Sequence, residues 1–252
     1  MTIPDRLTYD SIDPRWSIRI TDDGSATLVD RATGDSMHSG CGAIAETKHV
    51  YLHNSGVAKR LESGHQTRVL EVGLGTGMGC LLTSELAQRT RTQVEYVAIE
   101  NKLMPASLVE HLDFEKQGIA PELVGAFRKH LRRCDNQEIS AGRMGDFCTL
   151  TIHQCDAATW SNETEPFDAI YFDPFSPESN PTLWSARVLS TMRHCLSTQG
   201  RLVSYCVNRK VRDTLESVGF VVERVAGPVG GKREVLIATA SQSLGNSLKS
   251  TS

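Results

Sequence analysis

The chain contains no apolar run near the ~20 residues that a membrane-crossing helix requires, so a spanning role is not expected. Met1 to Asp10 carries acidic residues and no apolar stretch, which excludes a secretory signal at that point. The seven cysteines are an odd number and no two are spaced C-x-x-C, so neither a disulfide framework nor a zinc ribbon is indicated. Reduced thiols in the cytoplasm are the expectation. His153 and Cys155 alternate as two residues on one face of a strand do, and no metal site is expected from them. The formal net charge of -3 announces no global attraction to nucleic acid and leaves only a local basic patch for that purpose. There is no internal repeat.

What remains is an ordinary globular composition, 39% hydrophobic and 23% charged over 252 residues, enough for one sizeable core with a small attachment. Ser17–Thr21 and Ala26–Asp30 alternate apolar and polar residues around Asp22-Asp23-Gly24, the pattern of a β-hairpin. Residues 31–45 are rich in Gly and Ser and read as a loop, and 46–61 read as a helix. From Arg68 onward, strands alternate with helices. Strands are expected at 68–72, 94–99, 149–153, 167–172 and 201–207. Helices are expected at 77–88, from Pro105, at 183–196 and at 211–218. Phe220–Val225 and Glu234–Thr239 form a closing hairpin around Gly230-Gly231, and residues 117–147 read as an insertion. The Ser- and Asn-rich residues 241–252 are expected to be a disordered tail. This order predicts an α/β fold with a mainly parallel sheet, whose ligands bind beyond the carboxyl ends of the strands.

Four strand ends carry candidate chemistry. Glu71-Val-Gly-Leu-Gly-Thr-Gly77 places Gly73, Gly75 and Gly77 where a backbone turns tightly and approaches a ligand. The spacing departs from the G-x-G-x-x-G that cradles a pyrophosphate and resembles the E/D-x-G-x-G-x-G of class I methyltransferases. A purely structural glycine turn is the alternative. Glu100 ends the next strand and has the reach to bind both hydroxyls of a ribose, or is a solvated charge. Asp156 and Ala157 follow the strand at Thr149 and suit an adenine amino group and ring, or a plain surface. Asp173-Pro174-Phe175 resembles the D-P-P-[YF] loop of amino-methyltransferases, in which a carboxylate and a backbone carbonyl hold the target amine. An Asp-Pro turn is the alternative. An alkylamine with a pKa near ~10 is mostly protonated at neutral pH, so a carboxylate that orients it and helps remove its proton fits methyl transfer.

Taken together, several stretches resemble the methyltransferase domain of the MnmC-like family, which completes 5-methylaminomethyl-2-thiouridine in tRNA. These are Glu46-Thr-Lys-His-Val-Tyr-Leu52, similar to the family's Glu followed by a Val-Phe-Leu-like run, Glu71 to Gly77, Asp173 to Trp184 with its Asn180-Pro181…Trp184, and Gly231-Lys-Arg-Glu234. The resemblance implies a Rossmann-like domain over 46–240 with a β-hairpin extension over 1–45, S-adenosylmethionine as cofactor, and tRNA as partner. Glu71, Gly73, Gly75, Thr76, Gly77, Glu100, Asp156 and Ala157 would hold the cofactor. Asp173 and Glu46 would serve catalysis, and Pro174, Phe175, Lys232 and Arg233 would meet the substrate. Lys232 and Arg233 suit phosphate or are a solvated hairpin tip, and the basic run Arg128–Arg133 is a tRNA contact or a solvated helix face.

This chain departs from the pattern at Pro174, where the family has Gly, and at Glu178, where a basic residue is common. The family's flavin-dependent oxidase has no counterpart in these residues, so a ready-made amine is expected. Other readings are a methyltransferase for a small-molecule or protein amine, an aminopropyltransferase using decarboxylated cofactor, and a fold kept as a scaffold.

Overall fold

The computed structural model describes residues 6–134 and 137–240. A three-stranded antiparallel sheet opens the chain: β1 (Thr8–Asp10), β2 (Trp16–Ile20) and β3 (Ala26–Asp30). The expected hairpin is β2–β3. β1 adds an unexpected edge strand, whose three exposed residues show no apolar alternation to announce it. Next come α1 (Ala43–Thr47), a π-helical turn (Lys48–His53) and α2 (Val57–Glu62). The single helix expected over 46–61 is thus broken, with Gly56 starting a new helix.

The main body follows as β4 (Thr67–Val72), α3 (Met78–Thr90), β5 (Val94–Ile99), α4 (Ala106–Glu110), α5 (Pro121–Cys134), β6 (Ile139–Arg143), β7 (Cys148–His153) and β8 (Phe167–Phe172). It closes with α6 (Ala186–Cys195), β9 (Leu196–Ser204), α7 (Arg209–Ser217), β10 (Phe220–Ala226) and β11 (Glu234–Ala240). These strands form one eight-stranded sheet in the order β10-β11-β9-β8-β4-β5-β7-β6. β9, β8, β4, β5 and β7 run parallel, and β6, β11 and β10 are antiparallel to their neighbours.

Period-two alternation explains why both faces of the sheet are covered. Val69, Tyr96, Ala98, Ala169 and Tyr171 pack toward α3, α5 and the N-terminal sheet. Leu70, Val72, Val97, Ile99, Ile170 and Phe172 pack toward α6 and α7. Trp16, Ile18, Ala26 and Leu28 of the N-terminal sheet belong to the first of these cores.

Residues 117–147 are not an insertion beside the sheet but part of it. α5 buries Leu123, Val124, Phe127 and Leu131, and β6 pairs with β7 as the sheet edge. The basic run lies on α5, where Arg128 pairs with Glu115 at 3.0 Å, Arg132 pairs with Glu110, and His130 Nδ1 meets Ser140 Oγ at 3.0 Å. That arrangement fits a structural helix face. The tail expected over 241–252 lies outside the described residues.

Candidate active site

The carboxyl ends of the parallel strands open into a cleft of about 510 Å³. It sits where β4 has β5 on one side and β8 on the other, the point at which strand order reverses. Gly73, Glu100 and Asp173 directly follow β4, β5 and β8. Their backbone N–H groups extend the ladder by one residue, to Ile99 O at 3.0 Å, His153 O at 3.0 Å and Val72 O at 2.9 Å. Rigid strands therefore fix all three residues.

The glycine loop is shaped by its neighbours. Gly73 has φ 92°, and a Cβ there would lie 2.6 Å from the Asp173 carbonyl oxygen. Gly77 has φ 83°, and its Cβ would strike the Phe127 ring. Both positions exclude any side chain. Among the described residues no side chain caps α3, whose first residues Met78 and Gly79 border the cleft, so its N-terminal N–H groups and the positive end of its dipole are directed there.

Glu71 is 4% exposed on the α3 side of β4, and its Oε2 has no hydrogen-bond partner among the described residues. Burial, helped by the charges of Asp173 and Glu100, pushes its carboxyl well above the usual range, while the nearby Tyr96 hydroxyl acts in the opposite sense. Thr47 Oγ1, Tyr51 Oη and Thr76 Oγ1 are also buried without partners among the described residues, and all three residues line the same cleft. Native interiors seldom leave such atoms unmet, and here they gather where a polar ligand would meet them. Burial also raises Glu100, offset by N–H donors from Lys102, Gly75, Leu74 and Asn101. The Lys102 and Gly75 bonds measure 2.9 and 3.3 Å. Asp156 and Ala157 lie in the cleft wall, and Asp156 Oδ1 accepts from Ala158 N at 2.9 Å.

The loop after β8 is held at successive carbonyls. Tyr205 donates its hydroxyl to Pro174 O at 3.1 Å, and Trp184 donates Nε1 to Phe175 O at 2.9 Å. The Trp184 ring meets Phe172 edge-on at 5.0 Å. The Asn180-Pro181…Trp184 segment thus has a mechanical task, pinning the loop that carries Asp173. Phe175 is 46% exposed at the cleft rim.

Asp173 faces Glu46, Tyr51 and Lys232. Burial raises its carboxyl well above the ordinary range, Tyr51 acts to lower it, the Glu46 charge raises it and Lys232 lowers it. Lys232 comes from the turn between β10 and β11, with Nζ 4.1 Å above the Tyr205 ring. Arg233, the next residue, is exposed and lies outside the cleft wall.

One wall was not read from the sequence. Residues 35–39, with Arg15 and Trp16, close the cleft from the N-terminal sheet. Met37 N donates to Leu28 O at 2.9 Å, His38 N to Thr27 Oγ1 at 3.2 Å and Ser39 N to Glu46 Oε2 at 3.0 Å. Met37 Sδ lies 3.9 Å from where a Cβ on Gly75 would be. No local motif announces this wall, because its position over the cleft comes from tertiary packing alone. His153 packs against Trp160 at 6.0 Å, and no group of potential metal ligands occurs among the described residues. Among them, no helix is long and apolar enough to cross a membrane.

Residues 115–241 match the family described as S-adenosyl-L-methionine-dependent methyltransferase. The chain belongs to that family. The matched span includes Asp156, Asp173, Trp184 and Lys232.

The methyltransferase is 33% identical over 203 residues to the tRNA 5-methylaminomethyl-2-thiouridine biosynthesis bifunctional protein MnmC of Delftia acidovorans, covering 77% of this chain and 30% of that protein. It is 30% identical over 239 residues to the protein of the same name from Azoarcus sp. strain BH72, covering 87% of this chain and 35% of the relative. The chain spans about a third of the length of these curated relatives. The crystal structure of MNMC2 from Aquifex aeolicus superposes with a TM-score of 0.72 at 26% identity, covering 92% of this chain and 72% of the other. These findings place the methyltransferase among methyl- rather than aminopropyl-transferring enzymes.

The residues present fit the cofactor. Its amino acid end carries a cation and an anion, matched by Glu71 Oε2, unpartnered among the described residues, and by the start of α3, which no described side chain caps. Gly73, Gly75, Thr76 and Gly79 all line this cleft, so the backbone of the glycine loop forms its floor.

Proposed function

We propose that this methyltransferase places a methyl group on the amine nitrogen of an aminomethyl uridine at the wobble position of tRNA. One observation carries the reading. Two carboxylates, Asp173 and Glu46, converge in a cofactor cleft, close enough for the charge of one to raise the pKa of the other. Such a pair suits a cationic amine, and the named relatives are proteins of tRNA 5-methylaminomethyl-2-thiouridine biosynthesis.

In this reading Glu71 and the start of α3 hold the amino acid end of the cofactor, with Gly73, Gly75, Thr76 and Gly77 as the cradle. Glu100 takes the ribose hydroxyls, and Asp156 with Ala157 the adenine. The bound cofactor supplies an electrophilic methyl group on its sulfonium sulfur. Asp173 accepts a hydrogen bond from the acceptor nitrogen and aims its lone pair along the line of displacement. The raised Asp173 carboxyl is placed to take the proton that the ammonium must lose, and Glu46 on the same cleft wall offers a second acceptor to the amine. Pro174 and Phe175, held by Tyr205 and Trp184, keep Asp173 at its station and offer an aromatic face to the uracil ring. Lys232 and Arg233 meet the backbone of the anticodon arm.

The deciding experiment incubates the enzyme with labelled S-adenosylmethionine and bulk tRNA from cells lacking the modification, followed by nucleoside analysis. Label in a methylaminomethyl uridine is expected, and Asp173→Ala should abolish it. Absence of any labelled uridine would move the acceptor to a small-molecule or protein amine, a reading that the acidic Glu178 on the same loop favours.

A further inference from the structure

Tyr51 lines the cleft and has no task in the proposed reaction. It lies on the π-helical turn Lys48–His53, in a run of three consecutive buried residues. Such turns are wider than an α-helix and recur at functional sites. Tyr51 is only 3% exposed. Its ring lies 5.3 Å from Tyr171 at 44°, and Tyr171 meets Tyr96 edge-on at 6.1 Å. Packed against this stack, the ring is not free to swing out to solvent.

The Tyr51 hydroxyl is buried, lines the cleft and completes no hydrogen bond among the described residues. A phenol needs both a partner and a direction. The acceptor at hand is the Asp173 carboxylate, whose interaction with Tyr51 is the largest influence opposing its desolvation. Burial and the Asp173 charge in turn push the Tyr51 phenol well above its normal range, so it stays protonated as a donor. Hydrogen bonds of this kind are often long or misaligned in the free enzyme and tighten when substrate arrives.

We infer that Tyr51 is a positioning residue, whose hydroxyl donates to Asp173 and fixes which carboxylate oxygen faces the acceptor nitrogen. This role rests on the proposed amine chemistry. It adds a donor that the Val-Phe-Leu pattern of the resembling family does not supply. The other groups facing Asp173 are Glu46 from α1, Lys232 from the β10–β11 turn, Glu71 at the end of β4 and Tyr205 after β9. Among the described residues acting on Asp173, Lys232 and Tyr51 lower its pKa while Glu46 and burial raise it. Losing the Tyr51 donor therefore moves Asp173 upward, and the ionised carboxylate appears only at higher pH.

The test is Tyr51→Phe, which keeps the ring and removes one oxygen. Asp173, identified by its absence from Asp173→Asn, is titrated by carboxyl carbon-13 NMR in both proteins. An upward shift of the Asp173 titration is expected, with kcat/KM up to ~10-fold lower on the acid limb for each pH unit it moves and reduced on the plateau as well, where the carboxylate is ionised but no longer aimed. Cofactor affinity should stay within about twofold, since each tenfold would require a contact of ~1.4 kcal/mol with the cofactor. Identical Asp173 titrations in the two proteins would overturn the inference.

If Tyr51→Phe folds poorly, the unsubstituted enzyme still decides between the outcomes. At a pH above the Asp173 titration, where the carboxylate has lost its own proton, an H/D isotope shift on its carboxyl carbon is expected from the O–H donor, and its absence overturns the contact. Both NMR readouts need no acceptor. Failure of tRNA methylation would therefore sink the proposed substrate and leave the Tyr51 contact to be judged separately.

Discussion

Gly73 and Asp173 touch across the centre of the sheet: a single carbon added to Gly73 would lie 2.6 Å from the Asp173 carbonyl oxygen. The glycine loop after β4 and the loop after β8 are thus in backbone contact, so a displacement of one presses on the other. Gly73→Ala should cost ~1–3 kcal/mol through the positive φ and the overlap. It should also weaken cofactor binding and acceptor turnover together. Thermal unfolding, calorimetry and kinetics check this, and loss of only one of the two functions would show that the loops are independent.

Glu71 predicts a proton count. Its buried carboxyl is held well above the usual range in the free enzyme. A cationic amino group placed beside it pulls that pKa back down, so binding releases a proton. Release is largest between the ordinary carboxylate range near ~4 and the raised value, and fades above it. Calorimetry in buffers of different ionisation enthalpy reads the number directly. Glu71→Gln should reduce the release and weaken binding by roughly 10- to 100-fold, the range for a lost charged hydrogen bond of ~1.5–3 kcal/mol.

Asp173→Asn should separate stability from activity. Desolvation raises the Asp173 pKa in the folded protein. Folded and unfolded chains are protonated alike below the unfolded carboxylate range, so the substitution changes little there. As pH climbs from ~4 through the folded pKa, the wild type loses stability and the Asn variant does not. At neutral pH a Tm gain of roughly 2–4 °C is expected, what ~1 kcal/mol gives in a chain of this size. Methyl transfer should be lost. An unchanged Tm across the whole pH range would refute the account.

Two basic regions should behave differently toward tRNA. Arg233→Ala should lower the salt slope of binding by about one, with kcat unaffected, because Arg233 lies outside the cleft. Arg128→Ala and Arg132→Ala should leave binding unchanged and lower stability, since their ion pairs with Glu115 and Glu110 brace α5. Filter binding at several salt concentrations distinguishes the two. A slope change on α5 instead would reassign the tRNA surface.

The strand ends were readable in the sequence because β4, β5 and β8 are short apolar runs, each followed directly by a residue whose type suits a ligand site. Gly73, Glu100 and Asp173 could be placed by that rule alone. β6 escaped it because an edge strand with only Ser140 fully buried shows little apolar alternation. The wall at residues 35–39 escaped because it is a loop whose place over the cleft is set by Leu28, Thr27 and Glu46 rather than by any motif of its own. Tyr51 was hidden differently: inside Val50-Tyr51-Leu52 it looks like a core aromatic, and only the unpartnered oxygen sets it apart.

The place of β11 has a consequence for synthesis. It is the last strand in sequence among the described residues, yet it lies between β9 and β10. The wall at residues 35–39 leaves the ribosome early, and Lys232 with β11 follows on the order of 10 to 40 s later at ~5–20 residues per second. Until then β9 has an open edge, and the cleft lacks the lysine that faces Asp173. A nascent chain at that stage is both inactive and prone to pair its bare strand with a neighbour. Ribosome-bound chains halted before β11 should therefore depend on chaperones more than chains from which β11 has emerged.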